Sequence, residues 1–199
     1  MLQKKEPSFE TMYTEDDVLM FYIGSSNKFF PGFGKGEKVK QSHVKDYFEL
    51  AKIEDWRQKL SNQWKSEFKL NGLQWLSVEH YYQASKFKNN NHAYYLQFSL
   101  NSGSDLSKDP IMAHGAGSKN GRVNGKPFRN KDIKIDDDFF TGRAEEEMFK
   151  AQLCKFKQNK EMRDVLLKTG RAKLIHYRIK KKTPIFFKTL VYVRYLLSK

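Results

Sequence analysis

The stretch GLQWLSVEHYYQASKF, residues 72–87, carries both the start signal of a helix and a polar line along it. Ser77 is a good N-cap, and Glu79 then falls in the first turn, where the helix dipole favours a carboxylate. The helix is expected from about 78 to about 88. On it Glu79, Gln83 and Lys86 stand at i, i+4 and i+7 and share one face, while His80, Ala84 and Phe87 form the neighbouring stripe that meets the core. Just upstream, WKSEFKLNGLQWL (64–76) alternates, with Asn71-Gly72 as a turn between two short strands. A carboxylate, an amide and an ammonium in line, flanked by Trp75 and Tyr82, suit a sugar or a nucleotide. The carboxylate can stabilise an oxocarbenium-like centre or activate water, and the amide can bond ribose hydroxyls. The ammonium can meet phosphate or, if desolvated, act as a nucleophile. The same spacing also suits the ordinary polar stripe of a capped surface helix.

Outward from this segment, 199 residues suit one domain. Residues 1–18 read as a flexible lead-in and 19–199 as the domain. VLMFYIG (18–24) reads as a strand. The following loop has Gly32, Gly34 and Gly36 at alternate positions, a flexible turn or a phosphate cradle, with neither a Walker spacing nor a dinucleotide fingerprint. VKDYFELAKIEDWRQKLSN (44–62) has helical spacing. Residues 102–132, rich in Gly, Ser, Lys and Asn, read as an ordered functional loop or an insertion. RAEEEMFKAQLCKFKQN (143–159) is an amphipathic helix with an acidic first turn, and KEMRDVLLKTG (160–170) is another, closed by Gly170. AKLIHYRI (172–179) reads as a strand, and Thr183-Pro184 as the start of a last helix. Helices outnumber strands, so the expected class is α+β, mainly helical.

The balance of 37 basic against 23 acidic residues gives +14 and favours anionic partners: nucleotides, phosphates or nucleic acid. The single Cys154 excludes an intrachain disulfide and points to a reducing compartment, cytoplasmic or nuclear. The charged N-terminus has no signal-peptide core, and no apolar run of about 18 residues exists. The protein is therefore expected to be neither secreted nor in a membrane. The five histidines and Cys154 show no zinc spacing, HExxH and GxSxG are absent, and no metal or cofactor is called for. Cys154 reads as inert on the apolar side of its helix. Asp136–Asp138 reads as a helix-leading acidic cluster before a magnesium site. RIKKK (178–182) is a solvated turn or a phosphate contact.

W-x-S-V-E-H-Y-Y-Q-A-x-K-F, Trp75 to Phe87, resembles the signature of the NADAR/YbiA-like family. The blocks Lys155–Asn159, Leu166–Thr169 and Ala172–Leu174 resemble that family's K-F-x-Q-N, L-L-x-T and A-K-L patterns. FYIGSSNKFFPGFGKGE and SGSDLSKDPIMAHGAGSKNGR are similar to the loops of one of its branches. The resemblance covers roughly residues 19–197 and implies a single YbiA-like domain, mainly helical with a small β-sheet. It implies an N-glycosidase that cleaves the bond between ribose and a base or amine. Glu79 and Lys86 fall on the motif carboxylate and lysine and become the expected catalytic residues. Trp75, Tyr82 and Gln83 would line the pocket. Phe21, Tyr22, Ser25, Gly32, Gly34, Lys119, Arg122 and His176 join them as substrate-binding candidates. Members that act on phosphorylated riboflavin-pathway intermediates carry Glu and then a W-G element where this chain has His176, Tyr177 and Arg178. That departure favours an ADP-ribosyl conjugate, with an ADP-ribosylated guanine in nucleic acid as one form of it. Hydrolysis of riboflavin-pathway intermediates is the alternative. A non-catalytic module that binds ADP-ribose, NAD or nucleic acid is a further one.

Overall fold

The computed structural model of the chain describes residues 7–25, 29–177 and 183–199, so the RIKKK run lies outside the described residues. The chain forms two compact units, Met1–Ser61 with Glu161–Lys199, and Asn62–Lys160. In chain order the elements are β1 (Thr14–Phe21), α1 (Phe48–Ala51), α2 (Trp56–Lys59), β2 (Phe68–Leu70), β3 (Leu73–Trp75), α3 (Val78–Ser85), α4 (His92–Leu96) and α5 (Pro110–Gly117). There follow β4 (Arg122–Val123), β5 (Lys126–Pro127), α6 (Ala144–Gln158), α7 (Lys160–Lys168), β6 (Ala172–His176), β7 (Ile185–Phe186) and α8 (Lys188–Leu197). The class is α+β and mainly helical, with small sheets, as the sequence implied.

In the first unit, β1 pairs in parallel with β6, and β6 pairs antiparallel with β7. The strand begins at Thr14, inside the segment expected to be flexible, because Thr14 finds a partner: its N–H donates to Arg171 O at 2.8 Å. The helix expected over 44–62 is broken into a 3₁₀ stretch (Gln41–Tyr47), α1 and α2. The break falls at Asp55, which adopts φ +53°, a left-handed conformation costing roughly 1–2 kcal/mol for a residue with a Cβ. The last helix starts at Lys188 rather than at Pro184, because Ile185 and Phe186 pair with His176 and Ile175.

In the second unit, the Asn71-Gly72 turn joins β2 to β3 as the sequence indicated, both residues at positive φ (55° and 76°). Trp75, Tyr81, Phe87, Tyr94, Tyr95 and Phe98 form one aromatic core. Each such side chain contributes roughly 1.5–3 kcal/mol by leaving water. Both α5 and α6 pack on α3. The glycine-rich segment 102–132 is not one loop: Asp109 accepts from the Ile111 N–H at 2.8 Å and caps α5, and β4 and β5 then form a hairpin. The amphipathic α6 and α7 form as expected, and Gly170 takes the left-handed position after α7 (φ +56°). Among the described residues no helix is long and apolar enough to cross a membrane.

Candidate functional site

Ser77 accepts from the His80 N–H at 3.4 Å and caps α3, so the helix starts where the sequence places it. That start fixes the phase of the polar line. Glu79, Gln83 and Lys86 are all buried, 8%, 4% and 6% exposed. A carboxylate, an amide and an ammonium buried together must satisfy one another. The Gln83 amide does so: its Nε2 donates to Glu79 Oε1 at 2.8 Å, and its Oε1 accepts from Lys86 Nζ. Only one orientation of the amide serves both neighbours. Lys86 also donates to Gly117 O at 2.9 Å.

Helix α5 completes the arrangement. His114 Nδ1 lies 2.7 Å from Glu79 Oε1, on a ring that is 60% exposed, and so connects the carboxylate to solvent. Gly117 sits where a Cβ would come within 2.3 Å of Gln83 Oε1, so only glycine allows this approach of α5 to α3. Replacing Gly117 by Ala pushes the amide away from both charged partners. Any activity that depends on this polar line is expected to lose about 100-fold in kcat/KM on a displacement of this order, with little loss of secondary structure, measurable by steady-state kinetics beside circular dichroism.

The electrostatics follow from burial. Burial pushes the Glu79 pKa up, but the bond and charge of His114, the Gln83 amide and Lys86 together hold it below the ordinary carboxylate value. Burial pushes Lys86 down to about 8; Glu79 opposes the shift and Arg129 adds to it. The ammonium lies 5.4 Å from the centre of the half-buried Tyr82 ring and 5.8 Å from that of Phe140. Phe140 belongs to a single π-helical turn, Phe139–Arg143. That turn is clamped by Arg143, which donates to Asp138 at 2.7 and 2.9 Å and to Asp136 at 2.7 Å. Asp136 in turn accepts from the Asn89 and Asn90 N–H groups at 3.0 Å each, and its own N–H donates to Lys86 O at 2.7 Å. The acidic cluster is therefore a structural brace joining the π turn to the end of α3.

His80, on the core side of α3, is fully buried, and burial holds its pKa down to about 4. The folded state keeps it neutral, so the unfolded chain takes up a proton first as the pH falls below 6.5. The stabilisation is present above that pH and is lost on the way down to about 4, by about 3 kcal/mol at its fullest. Thermal unfolding between pH 7 and pH 4 is expected to show this as a falling Tm, with a shallower slope in His80→Leu.

The remaining expected site residues divide between the units. Trp75 does not flank the polar line: it is fully buried, its Nε1 donates to Leu70 O at 3.0 Å, and it packs on Tyr81 and Tyr95. Lys119 and Arg122 are exposed on the segment after α5. Arg122 Nε donates to Gly125 O within its own hairpin at 3.0 Å, and Lys119 O accepts from Arg129 at 2.9 Å. Phe21, Tyr22, Ser25, Gly32, Gly34 and His176 belong to the first unit. There the Phe21 and His176 rings meet at 5.2 Å, and Ser25 Oγ accepts from the Tyr22 N–H at 2.9 Å. The Gly32 and Gly34 N–H groups each donate to Glu37 Oε2 at 3.1 Å, and that buried carboxylate is paired with Arg57 at 2.6 Å. Of the two readings of the glycine loop, a flexible turn or a phosphate cradle, the structure shows amides that cradle an internal carboxylate: Glu37 is bonded at once to both of them and to Arg57. Sequence reading missed His114, Gly117 and Phe140; the only signal for the first two was the H-G-A-G run that follows the capped Asp109-Pro110 start.

No curated protein matches this chain. The solved structure of the E. coli protein YbiA, determined by NMR, is similar with a TM-score of 0.53 and 21% identity, over 92% of this chain and 84% of that one. At that identity the likeness shows the fold. The family model described as NADAR domain matches residues 46–182, which include the whole of α3, α5 and the π turn; the chain belongs to the NADAR family.

Proposed function

We propose that the protein hydrolyses the N-ribosidic bond of an ADP-ribosyl conjugate, with Lys86 as nucleophile and Glu79 as its carboxylate partner. Family membership supports an N-glycosidase-like role. The observation that carries the reading is the buried Glu79–Gln83–Lys86 chain, in which one amide orients a carboxylate and an amine. A lysine held near pKa 8 by burial supplies a useful fraction of neutral amine at neutral pH.

The neutral amine of Lys86 attacks the anomeric carbon while the carbon–nitrogen bond to the leaving group breaks, and the bonding pair stays on the departing nitrogen. The ionised Glu79 faces the positive charge that gathers on the ribose ring oxygen. The new secondary amine sheds one proton, and the departing nitrogen takes up one. The adduct then opens: the bond from the anomeric carbon to the ring oxygen breaks, that oxygen takes the remaining proton of the secondary amine, and a Schiff base forms between Lys86 and the sugar; water adds to its carbon, the amine departs, and the freed aldehyde closes to ADP-ribose.

An ADP-ribosyl substrate is favoured over a riboflavin-type one by His176-Tyr177 in place of a W-G element. A nucleic-acid attachment is supported by exposed Lys119, Arg122, Lys126 and Lys131 around the β4–β5 hairpin, with Phe128 44% exposed among them. To test the reading, the protein is mixed with DNA carrying ADP-ribosylated guanosine and free ADP-ribose is followed. Release at a rate that falls with added salt is the expected result. Tight ADP-ribose binding in calorimetry with no release from any conjugate makes the protein a binding module instead.

A further inference from the structure

Phe140 is 66% exposed beside an ammonium that is buried, a combination that neither packing nor solvation requires. An exposed ring on a mobile loop would mean little. This one is fixed. Its neighbour Phe139 is fully buried and meets it edge-on, with centroids 5.0 Å apart and planes at 85°. Phe139 also packs on Tyr82 at 5.4 Å, and the Arg143 guanidinium lies 5.5 Å from its ring centre. With Arg143 bonded to Asp136, Asp138 and Ser85 O, the turn has little freedom to fold Phe140 away. The result is an apolar face held open at the reactive nitrogen.

What covers that face follows from the reaction, and this step rests on the glycosidase reading. A near-attack geometry puts the anomeric carbon roughly 3–3.5 Å from Lys86 Nζ. The leaving group is bonded to that same carbon on the side away from Nζ, which puts its nitrogen roughly 5 Å from Nζ, a distance comparable to the 5.8 Å that separates Nζ from the Phe140 ring centre. A diphosphate there would lose hydration against hydrocarbon and gain no hydrogen bond from Phe140. A planar heteroaromatic base gains a stacking partner. We propose that Phe140 is the specificity-determining residue for the leaving group: it stacks on the base that departs from the ribose and so selects nucleobase conjugates over aliphatic guanidino or amine conjugates.

The test uses the intact protein and its variants Phe140→Ala and Phe140→Trp, each altered at an exposed position. For ADP-ribosylated guanosine the alanine variant is expected to raise KM by about 10-fold while kcat stays within about threefold, and the tryptophan variant to restore KM. Binding of guanosine alone, followed by calorimetry, weakens by a similar factor in Phe140→Ala, whereas binding of free ADP-ribose is unchanged. The proposal is overturned if KM and guanosine binding are both indifferent to Phe140→Ala, or if free ADP-ribose loses affinity to the same extent. The two readings fail separately. A wild-type protein that binds guanosine through Phe140 but releases no ADP-ribose sinks the glycosidase and leaves the stacking. Turnover of the guanosine conjugate that Phe140→Ala leaves untouched does the reverse.

Discussion

Lys86→Met is expected to lower the release of ADP-ribose by on the order of 10⁴-fold, the scale of losing a nucleophile. Lys86→Arg should fail as completely. An arginine keeps a positive charge and would still serve a phosphate, but it does not deprotonate and cannot attack carbon. If Lys86→Arg retains substantial activity, Lys86 is an electrostatic residue and the nucleophilic step is wrong. On the proposed mechanism the neutral amine is the reacting form, so the rate of the chemical step is expected to rise with pH through about 8 and then level off. A fall in rate across the same interval would assign the reaction to the ammonium form. Reduction with borohydride during turnover is expected to fix a ribosyl adduct on the peptide that carries Lys86, read by mass spectrometry. The methionine variant leaves Gln83 Oε1 and Gly117 O without their donor, which costs roughly 1–3 kcal/mol of stability. Its unfolding curve therefore belongs beside its kinetics.

Glu79→Gln keeps the shape of the side chain and removes its charge. We expect kcat to fall by about 10³-fold, the upper end for one electrostatic group facing a developing charge, with KM little altered. A second effect separates this role from simple damage. Glu79 raises the pKa of Lys86, opposing the effect of burial. Without the carboxylate the amine becomes still less basic, so the inflection of the pH–rate curve moves below about 8. Loss of rate with the inflection unmoved would mean that the two groups do not act on each other. Unchanged activity would remove Glu79 from the reaction altogether.

Much of the second unit could be read locally. The Asn71-Gly72 hairpin, the Ser77 cap and the alignment of Glu79, Gln83 and Lys86 each depend on residues fewer than ten positions apart. The rules that govern them, turn dihedrals and the 3.6-residue repeat, act at that range. The helix expected over 44–62 fails for the opposite reason. Its spacing is helical, yet Asp55 turns left-handed in a unit where Arg57 is held by Glu37, twenty residues away. Local propensity, a few tenths of a kcal/mol per residue, yields to a buried ion pair whose disruption costs several. The same carboxylate accounts for the glycine loop. Spacing suggested open amides at Gly32 and Gly34, and no local rule reveals that Glu37 takes both.

By itself the sequence determined that one helix would present a carboxylate, an amide and an amine on a single face, because helical periodicity is a property of the chain. Tertiary structure decided what those groups are. The approach of α5, possible only because Gly117 lacks a Cβ, buries the face and brings in the carbonyl that holds Lys86. The same approach sets His114 against Glu79. Burial, which no single segment can supply, is what shifts the lysine toward its neutral form, the form that the proposed reaction needs.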